Sequence, residues 1–123
     1  MTKRVLVVDD DDGVREIVQV SLEAAAGWEV LAADSGRVGI EIAIAQQPDL
    51  ILLDVMMPEE DGVAIYQKLK DNAATQSIPT ILLTAKAQAS ERKSFLALGI
   101  AGLITKPFRA RTLAAEIKKI VGW

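Results

Sequence analysis

Four consecutive apolar residues, Leu50-Ile51-Leu52-Leu53, stand between Pro48-Asp49 and Asp54. The run is too short for an ordinary helix and follows a helix breaker, so it reads as a strand buried on both faces. A strand of that kind belongs inside a parallel sheet covered by helices on either side. It ends on a carboxylate, and the turn-rich stretch Val55-Met56-Met57-Pro58-Glu59-Glu60-Asp61-Gly62 follows it. Asp54 is therefore expected at the carboxyl edge of the sheet, where open α/β folds build their ligand sites.

The same pattern recurs along the chain. Arg4 to Val8 forms a β-branched run that enters the acidic block Asp9-Asp10-Asp11-Asp12 and Gly13, with Val14, Ile17, Val18 and Leu22 then at helical spacing. Asp11 or Asp12 can cap that helix, and Gly27 should end it. Trp28 to Ala33 reads as a second strand. Asp34-Ser35-Gly36 supplies turn and cap chemistry, and Val38, Ile42 and Ala45 mark one face of a second helix that stops before Pro48. Past the central strand, Val63, Tyr66 and Leu69 mark a third helix, which frays into the polar segment Asp71 to Ser77. Pro79 to Thr84 is a fourth strand. Ser90 is a candidate cap for a helix carrying Phe95, Leu96 and Leu98 toward Gly99. Ala101 to Thr105 makes a short fifth strand before Lys106-Pro107-Phe108, and Leu113, Ile117, Ile120 and Val121 give an amphipathic final helix. Five strand-then-helix units predict an α/β fold: a five-stranded parallel sheet, doubly wound, with five helices and right-handed crossovers.

Length and composition suit one domain over residues 1–123. Half of the 123 residues are apolar, which is ample for a single core. No apolar run approaches the ~20 residues that span a bilayer, so no membrane insertion is expected and a cytoplasmic location is the default. A formal charge of −3 leaves no broad basic footprint, which argues against direct nucleic-acid binding by this chain. Cysteine and histidine are both absent. Disulfides, thiolate metal sites, imidazole ligands and histidine relays are thereby excluded. Carboxylates, Lys, Arg, hydroxyls and backbone groups are left, a set suited to hard cations and phosphate.

Asp9, Asp10, Asp54, Thr84 and Lys106 each fall at the carboxyl end of a predicted strand, so the sheet should bring them to one edge. Clustered carboxylates repel one another unless a cation sits among them, and oxygen donors alone favour Mg²⁺, with Mn²⁺ an alternative. Lys106 adds fixed positive charge and Thr84 a hydroxyl donor, a pair able to neutralise and orient phosphoryl oxygens. An Asp carboxylate can itself be the nucleophile and form an aspartyl-phosphate, with Asp54 the candidate by its central position. Taken singly these residues carry plainer meanings. Acidic blocks are most often solvated faces or helix caps, Thr84 suits a strand by propensity alone, and Lys106 could be a surface lysine. Trp28, Tyr66 and Trp123 are assigned to packing or surface. Arg109, Arg111, Lys118 and Lys119 are assigned to a solvated helix face.

The combination of Val7-Val8-Asp9-Asp10-Asp11, Asp49 to Asp54 with Met57-Pro58 and Asp61-Gly62, Thr84-Ala85, and Lys106-Pro107-Phe108 resembles the receiver domains of bacterial two-component response regulators. The likeness runs essentially end to end. It implies a flavodoxin-like fold with strand order 2-1-3-4-5, for which the family's chemotaxis member is a standard example. It further implies that Asp54 accepts a phosphoryl group from the phosphohistidine of a sensor kinase or histidine phosphotransfer protein, and that a downstream protein target reads the change. By the same resemblance Asp10, Asp54 and the Met56 carbonyl would hold Mg²⁺ directly, Asp9 would act through water, and Thr84 and Lys106 would contact the phosphoryl oxygens. A cis peptide before Pro107 is also implied.

Leu103 departs from the family pattern, which commonly places an aromatic residue three positions before the lysine. A leucine has neither ring nor hydroxyl, so switching coupled to Thr84 is expected to be weaker or differently read out. Met56 and Lys86 occupy positions that tune phosphate lifetime in the family, and bulky Met56 is expected to hinder the attacking water. A dedicated phosphohydrolase using an aspartyl-phosphate commonly shows an acid two residues after the nucleophile. Here that residue is Met56, so a signalling switch is favoured over a turnover enzyme. A flavodoxin-like cofactor binder would want a loop rich in Gly, Ser and Thr after the first strand, where this chain has four aspartates. No output domain follows the last predicted helix, which fits either a receiver acting alone by protein contact or a piece of a larger regulator.

Overall fold

The computed structural model describes residues 2–58, 60–85 and 88–123. Strands and helices alternate: β1 (Arg4–Val8), α1 (Asp12–Ala26), β2 (Glu29–Ala33), α2 (Gly36–Gln46), β3 (Leu50–Asp54), α3 (Gly62–Lys70), β4 (Thr80–Thr84), α4 (Ala89–Leu96), β5 (Gly102–Thr105) and α5 (Ala110–Val121). All strand pairs are parallel, in the order β2-β1-β3-β4-β5. The expected doubly wound α/β fold is thus present with the order that the family resemblance implied.

The period of two along each strand divides the core into layers on the two sheet faces. Val5, Val7, Leu50, Leu52, Ile81, Leu83 and Ile104 pack with Val18 and Leu22 of α1 and Leu113 and Ile117 of α5. On the opposite face Leu6, Val8, Ile51, Leu53 and Leu82 meet Ala43 of α2 and Ile65, Tyr66 and Leu69 of α3. β3 and β4 are buried at every position, which explains their unbroken apolar runs. Each fully buried leucine or isoleucine contributes about 1.5–3 kcal/mol from area removed from water.

Helix ends follow local chemistry. Asp11 caps α1, its carboxylate accepting from Gly13 and Val14 N–H, and Gly27 closes the helix in the left-handed region at φ 68°. Ser35 caps α2 by accepting from Val38 N–H, and Asp61 caps α3 by accepting from Val63 N–H. After α3, the Thr75 hydroxyl donates to the Leu69 carbonyl at 2.6 Å and closes the turn into β4.

Two helix expectations need correction. The buried face of α2 consists of Gly36, Gly39 and Ala43; Val38 and Ile42 pack half-buried against the same core, as expected, whereas Ala45 is exposed. The helix lies so close to β1 that a Cβ on Gly39 would come within 2.7 Å of Val8 Cγ2, so the contact selects small residues over large apolar ones. In α4, Gln88 rather than Ser90 occupies the cap position, without a side-chain cap bond; Ser90 lies inside the first turn and its carbonyl accepts from the Ser94 hydroxyl. Leu96 points to solvent at 49% exposure, and Phe95 and Leu98 are half-buried. Eight residues with a weak apolar stripe give α4 no buried side chain. Trp28 precedes β2 and packs edge-to-face on Trp123 with ring centroids 5.1 Å apart, in keeping with a packing role.

Gly39→Ala should destabilise the domain by about 1–3 kcal/mol in urea unfolding, because overpacking against Val8 outweighs the gain of roughly 1 kcal/mol in helix propensity.

Candidate functional site

Register places the polar strand ends side by side. Val8 pairs with Leu53, so the next residues, Asp9 and Asp54, leave adjacent strands together. Asp9 N–H donates to the Ala33 carbonyl at 3.1 Å and Lys106 N–H to the Thr84 carbonyl at 2.8 Å, extending the ladders just past the strands. Asp9 and Thr84 are wholly buried, Asp54 is 4% exposed, and Asp10 faces solvent. Asp9, Asp10 and Asp54 each offer a carboxylate oxygen, and these lie within 4.8 Å of one another.

Lys106 reaches into this cluster from the far side. Its Nζ lies 2.7 Å from Asp9 Oδ2 and 3.2 Å from Asp54 Oδ1. The peptide between Lys106 and Pro107 is cis, as the resemblance implied. Asp54 Oδ1 also accepts from Met56 N–H at 3.3 Å. A bridge between Met56 and Asp61 and the bond from Gly62 N–H to the Val55 carbonyl, 2.9 Å, hold the loop after β3 over the strand end. A Cβ at Gly62 would stand 2.3 Å from the Asp54 carbonyl, so only glycine permits this approach. The Met56 side chain is 62% exposed, and Asp10, Val55, Met56, Met57, Pro58 and Phe95 line an open groove beside the carboxylates.

The sequence-predicted residues Asp9, Asp10, Asp54 and Lys106 thus gather at one edge, with Thr84 on the adjoining strand end. Leu103 pairs with Leu82, half-buried on the face shared with α2 and α3. Lys86 lies outside the described residues. One contact escaped the sequence: Arg15 Nη1 donates to the Asp9 carbonyl at 2.6 Å, while Nη2 pairs with Asp12. Its only signal was an Arg three residues after Asp12 at the start of a helix, a spacing common in surface ion pairs.

Electrostatics follow from burial. Loss of water raises the Asp54 carboxyl above its ordinary value, and the charge of Asp9 raises it further; Lys106 and the Met56 N–H oppose this without cancelling it. Burial pulls the Lys106 ammonium down, but its hydrogen bond and attraction to Asp9, with those to Asp54, outweigh burial and raise it overall. Two carboxylate charges within 4.8 Å of each other repel by about 3 kcal/mol or more at an effective dielectric near 20, and one ammonium cannot offset three acids. Oxygen donors alone, with an excess of negative charge, fit a small hard divalent cation.

The sequence matches the response regulator receiver domain over residues 5–118. The chain belongs to the response regulator receiver family. It is a receiver module of two-component signal transduction, with the family's flavodoxin-like fold. It is 39% identical over 119 residues to the phosphate regulon transcriptional regulatory protein PhoB of Pseudomonas aeruginosa, an alignment covering 97% of this chain and 52% of PhoB. It is 36% identical to the alkaline phosphatase synthesis transcriptional regulatory protein PhoP of Bacillus subtilis, covering 98% of this chain and 49% of PhoP. The receiver therefore spans about half the length of these curated relatives. Among solved structures it is similar to the chemotaxis response regulator CheY4 of Vibrio cholerae, with TM-score 0.90, 28% identity, and 98% and 100% of the two chains covered. A response regulator from Desulfuromonas acetoxidans gives TM-score 0.82 at 28% identity, covering 98% of this chain and 97% of the other.

Because the folded receiver binds the Asp54 proton more tightly than the unfolded chain does, ionising Asp54 costs stability. The cost is absent well below the ordinary carboxyl value of 3.8 and grows as pH rises through the raised folded value. In EDTA, Asp54→Asn should therefore be the more stable protein at pH 7, by on the order of 1 kcal/mol, and the difference should close near pH 3, as measured by urea unfolding at both pH values.

Proposed function

We propose that residues 1–123 form one phosphoacceptor domain that takes a phosphoryl group from the phosphohistidine of a sensor histidine kinase or histidine phosphotransfer protein onto Asp54. The observation that carries this reading is the Lys106 ammonium joining Asp9 Oδ2 and Asp54 Oδ1 around a buried carboxylate at the sheet edge. In the transfer a carboxylate oxygen of Asp54 forms the new P–O bond as the P–N bond to the donor imidazole breaks, and the leaving imidazole takes up a proton. Among the described residues, the bonds made to the Asp54 carboxylate go to Oδ1, which supports Oδ2 as the attacking oxygen.

Asp10, Asp54 and the Met56 carbonyl would hold Mg²⁺ or Mn²⁺ directly, with Asp9 assisting through water. The cation would supply charge neutralisation among the acids and the phosphoryl oxygens. Lys106 holds a positive charge at the other side of Asp54 and donates to a phosphoryl oxygen, and the Thr84 hydroxyl donates to another. Phosphoryl transfer needs mainly such positioning and electrostatic stabilisation, so these residues suffice.

The domain acts as a switch that promotes its own phosphotransfer and dephosphorylation, and it is not a dedicated turnover enzyme, since Met56 stands where a phosphohydrolase would place an acid. Phosphorylation alters contacts with a downstream protein. Leu103, lacking ring and hydroxyl, weakens the coupling of Thr84 to that output. PhoB and PhoP are transcriptional regulatory proteins, but this chain spans only about half of each, and its charge of −3 supports the view that it makes no direct nucleic-acid contact. Among the described residues no helix is long and apolar enough to cross a membrane. Together with the family, this supports action in the cytoplasm.

Wild-type protein treated with a small phosphodonor should gain one phosphoryl group by mass only when Mg²⁺ is present, and Asp54→Asn should gain none. Labelling of Asp54→Asn to the same extent would overturn the assignment. The exposed Met56 side chain crowds the approach of water to the phosphoryl group, so Met56→Asn should lose its label several-fold faster than wild type, measured by mass after donor removal. Equal rates would refute that part.

A further inference from the structure

We propose that Arg15 is a positioning residue for the divalent-cation site, orienting the carboxylates of Asp9 and Asp10 through the backbone that carries them. This rests on the reading of the site given above. Asp9 is held at every polar atom. Its N–H donates to the Ala33 carbonyl at 3.1 Å, Oδ1 accepts from Asp11 N–H at 3.0 Å, and Oδ2 accepts from Lys106 at 2.7 Å. The remaining group, its carbonyl, lies beyond the last residue of β1, and α1 starts three residues later. A buried carbonyl in such a gap needs a donor from outside both ladders. Arg15 provides it from the first turn of α1, with Nη1 at 2.6 Å and a side chain only 18% exposed.

The carbonyl of Asp9 shares a rigid plane with the N–H of Asp10. Holding that oxygen therefore sets the direction from which the exposed Asp10 side chain leaves the backbone. The second arm of the guanidinium pairs with Asp12, so one planar group spans the whole turn from the end of β1 to the start of α1. A lysine carries the same charge but cannot present two donors in a fixed fork.

Three roles for Arg15 predict different signs. As a positioning residue, its loss disorders the acids and weakens cation binding. As a simple countercharge, its loss makes the site more negative and strengthens binding. As a purely structural tie, its loss lowers stability and leaves affinity alone.

The test is Mn²⁺ titration of the whole chain at pH 7 and constant ionic strength, following the EPR signal of free Mn²⁺, with urea unfolding of each variant. Arg15→Gln should bind Mn²⁺ about 10-fold more weakly, the scale typical of groups that orient metal ligands, and Arg15→Lys should fall between it and wild type. Arg4→Gln, which breaks the Arg4–Glu29 pair at the opposite end of the sheet, should leave affinity unchanged. Equal or tighter binding by Arg15→Gln overturns the proposal. Should Arg15→Gln fail to fold, Arg15→Lys decides: a threefold or greater loss supports positioning, and wild-type affinity overturns it. A wild-type protein that binds no Mn²⁺ would instead overturn the reading of the site itself.

Discussion

Three carboxylates held against one ammonium at the end of a buried sheet form the interaction on which the functional edge depends. Burial removes the water that would otherwise screen Asp9 and Asp54, with solvent-facing Asp10 beside them, so the fold holds an unfavourable charge arrangement that a cation or a cationic side chain relieves. Lys106 relieves part of it by joining Asp9 and Asp54. The excess negative charge fits a site that accepts a divalent ion and then a phosphoryl group, the chemistry proposed for this receiver.

The sheet's topology enforces this arrangement. Parallel strands put every carboxyl end on the same edge, and the order β2-β1-β3-β4-β5 sets β1 beside β3, so that Asp9 and Asp54 leave the sheet as neighbours although 45 positions separate them in the chain. Gly62 lets the loop after β3 pass against the Asp54 carbonyl, and Gly39 lets α2 pass against Val8. Both contacts are close enough that a single methyl group would have to displace a neighbour. The layers are thus held by buried apolar area and by close approach together.

Structure is less tightly specified toward α4. That helix buries no side chain, exposes Leu96 and is tied to β5 by a long bond from Arg92 Nη1 to the Thr105 hydroxyl, 3.4 Å. Elements with few buried apolar contacts lie at the low-stability end of a domain and move most readily. Leu103 lies on the neighbouring strand, where the family commonly has an aromatic residue. In the proposed switch, the residue that would report phosphorylation therefore lies beside a helix with no buried side chain.

Sequence alone determined the alternation of strands and helices, the double-sided burial of β3, and the gathering of Asp9, Asp10, Asp54, Thr84 and Lys106 at one edge. Each follows from a local signal: an apolar run of set length, a polar residue at its end, a cap or a breaker beside it. Strand order came from family resemblance, since periodicity says nothing about which strands pair. The buried face of α2, the cap of α4 and the bond from Arg15 to the Asp9 carbonyl were decided only by tertiary structure. In α2 the close approach to Val8 put Gly39 and Ala43 at the centre of the contact, while Val38 and Ile42, to which the spacing pointed, pack half-buried at its margin and Ala45 is exposed. In α4 a weak stripe left the helix start to its surroundings. Arg15 reads in sequence as a surface ion-pair partner, and only the course of the backbone between β1 and α1 brings an unpaired carbonyl within its reach.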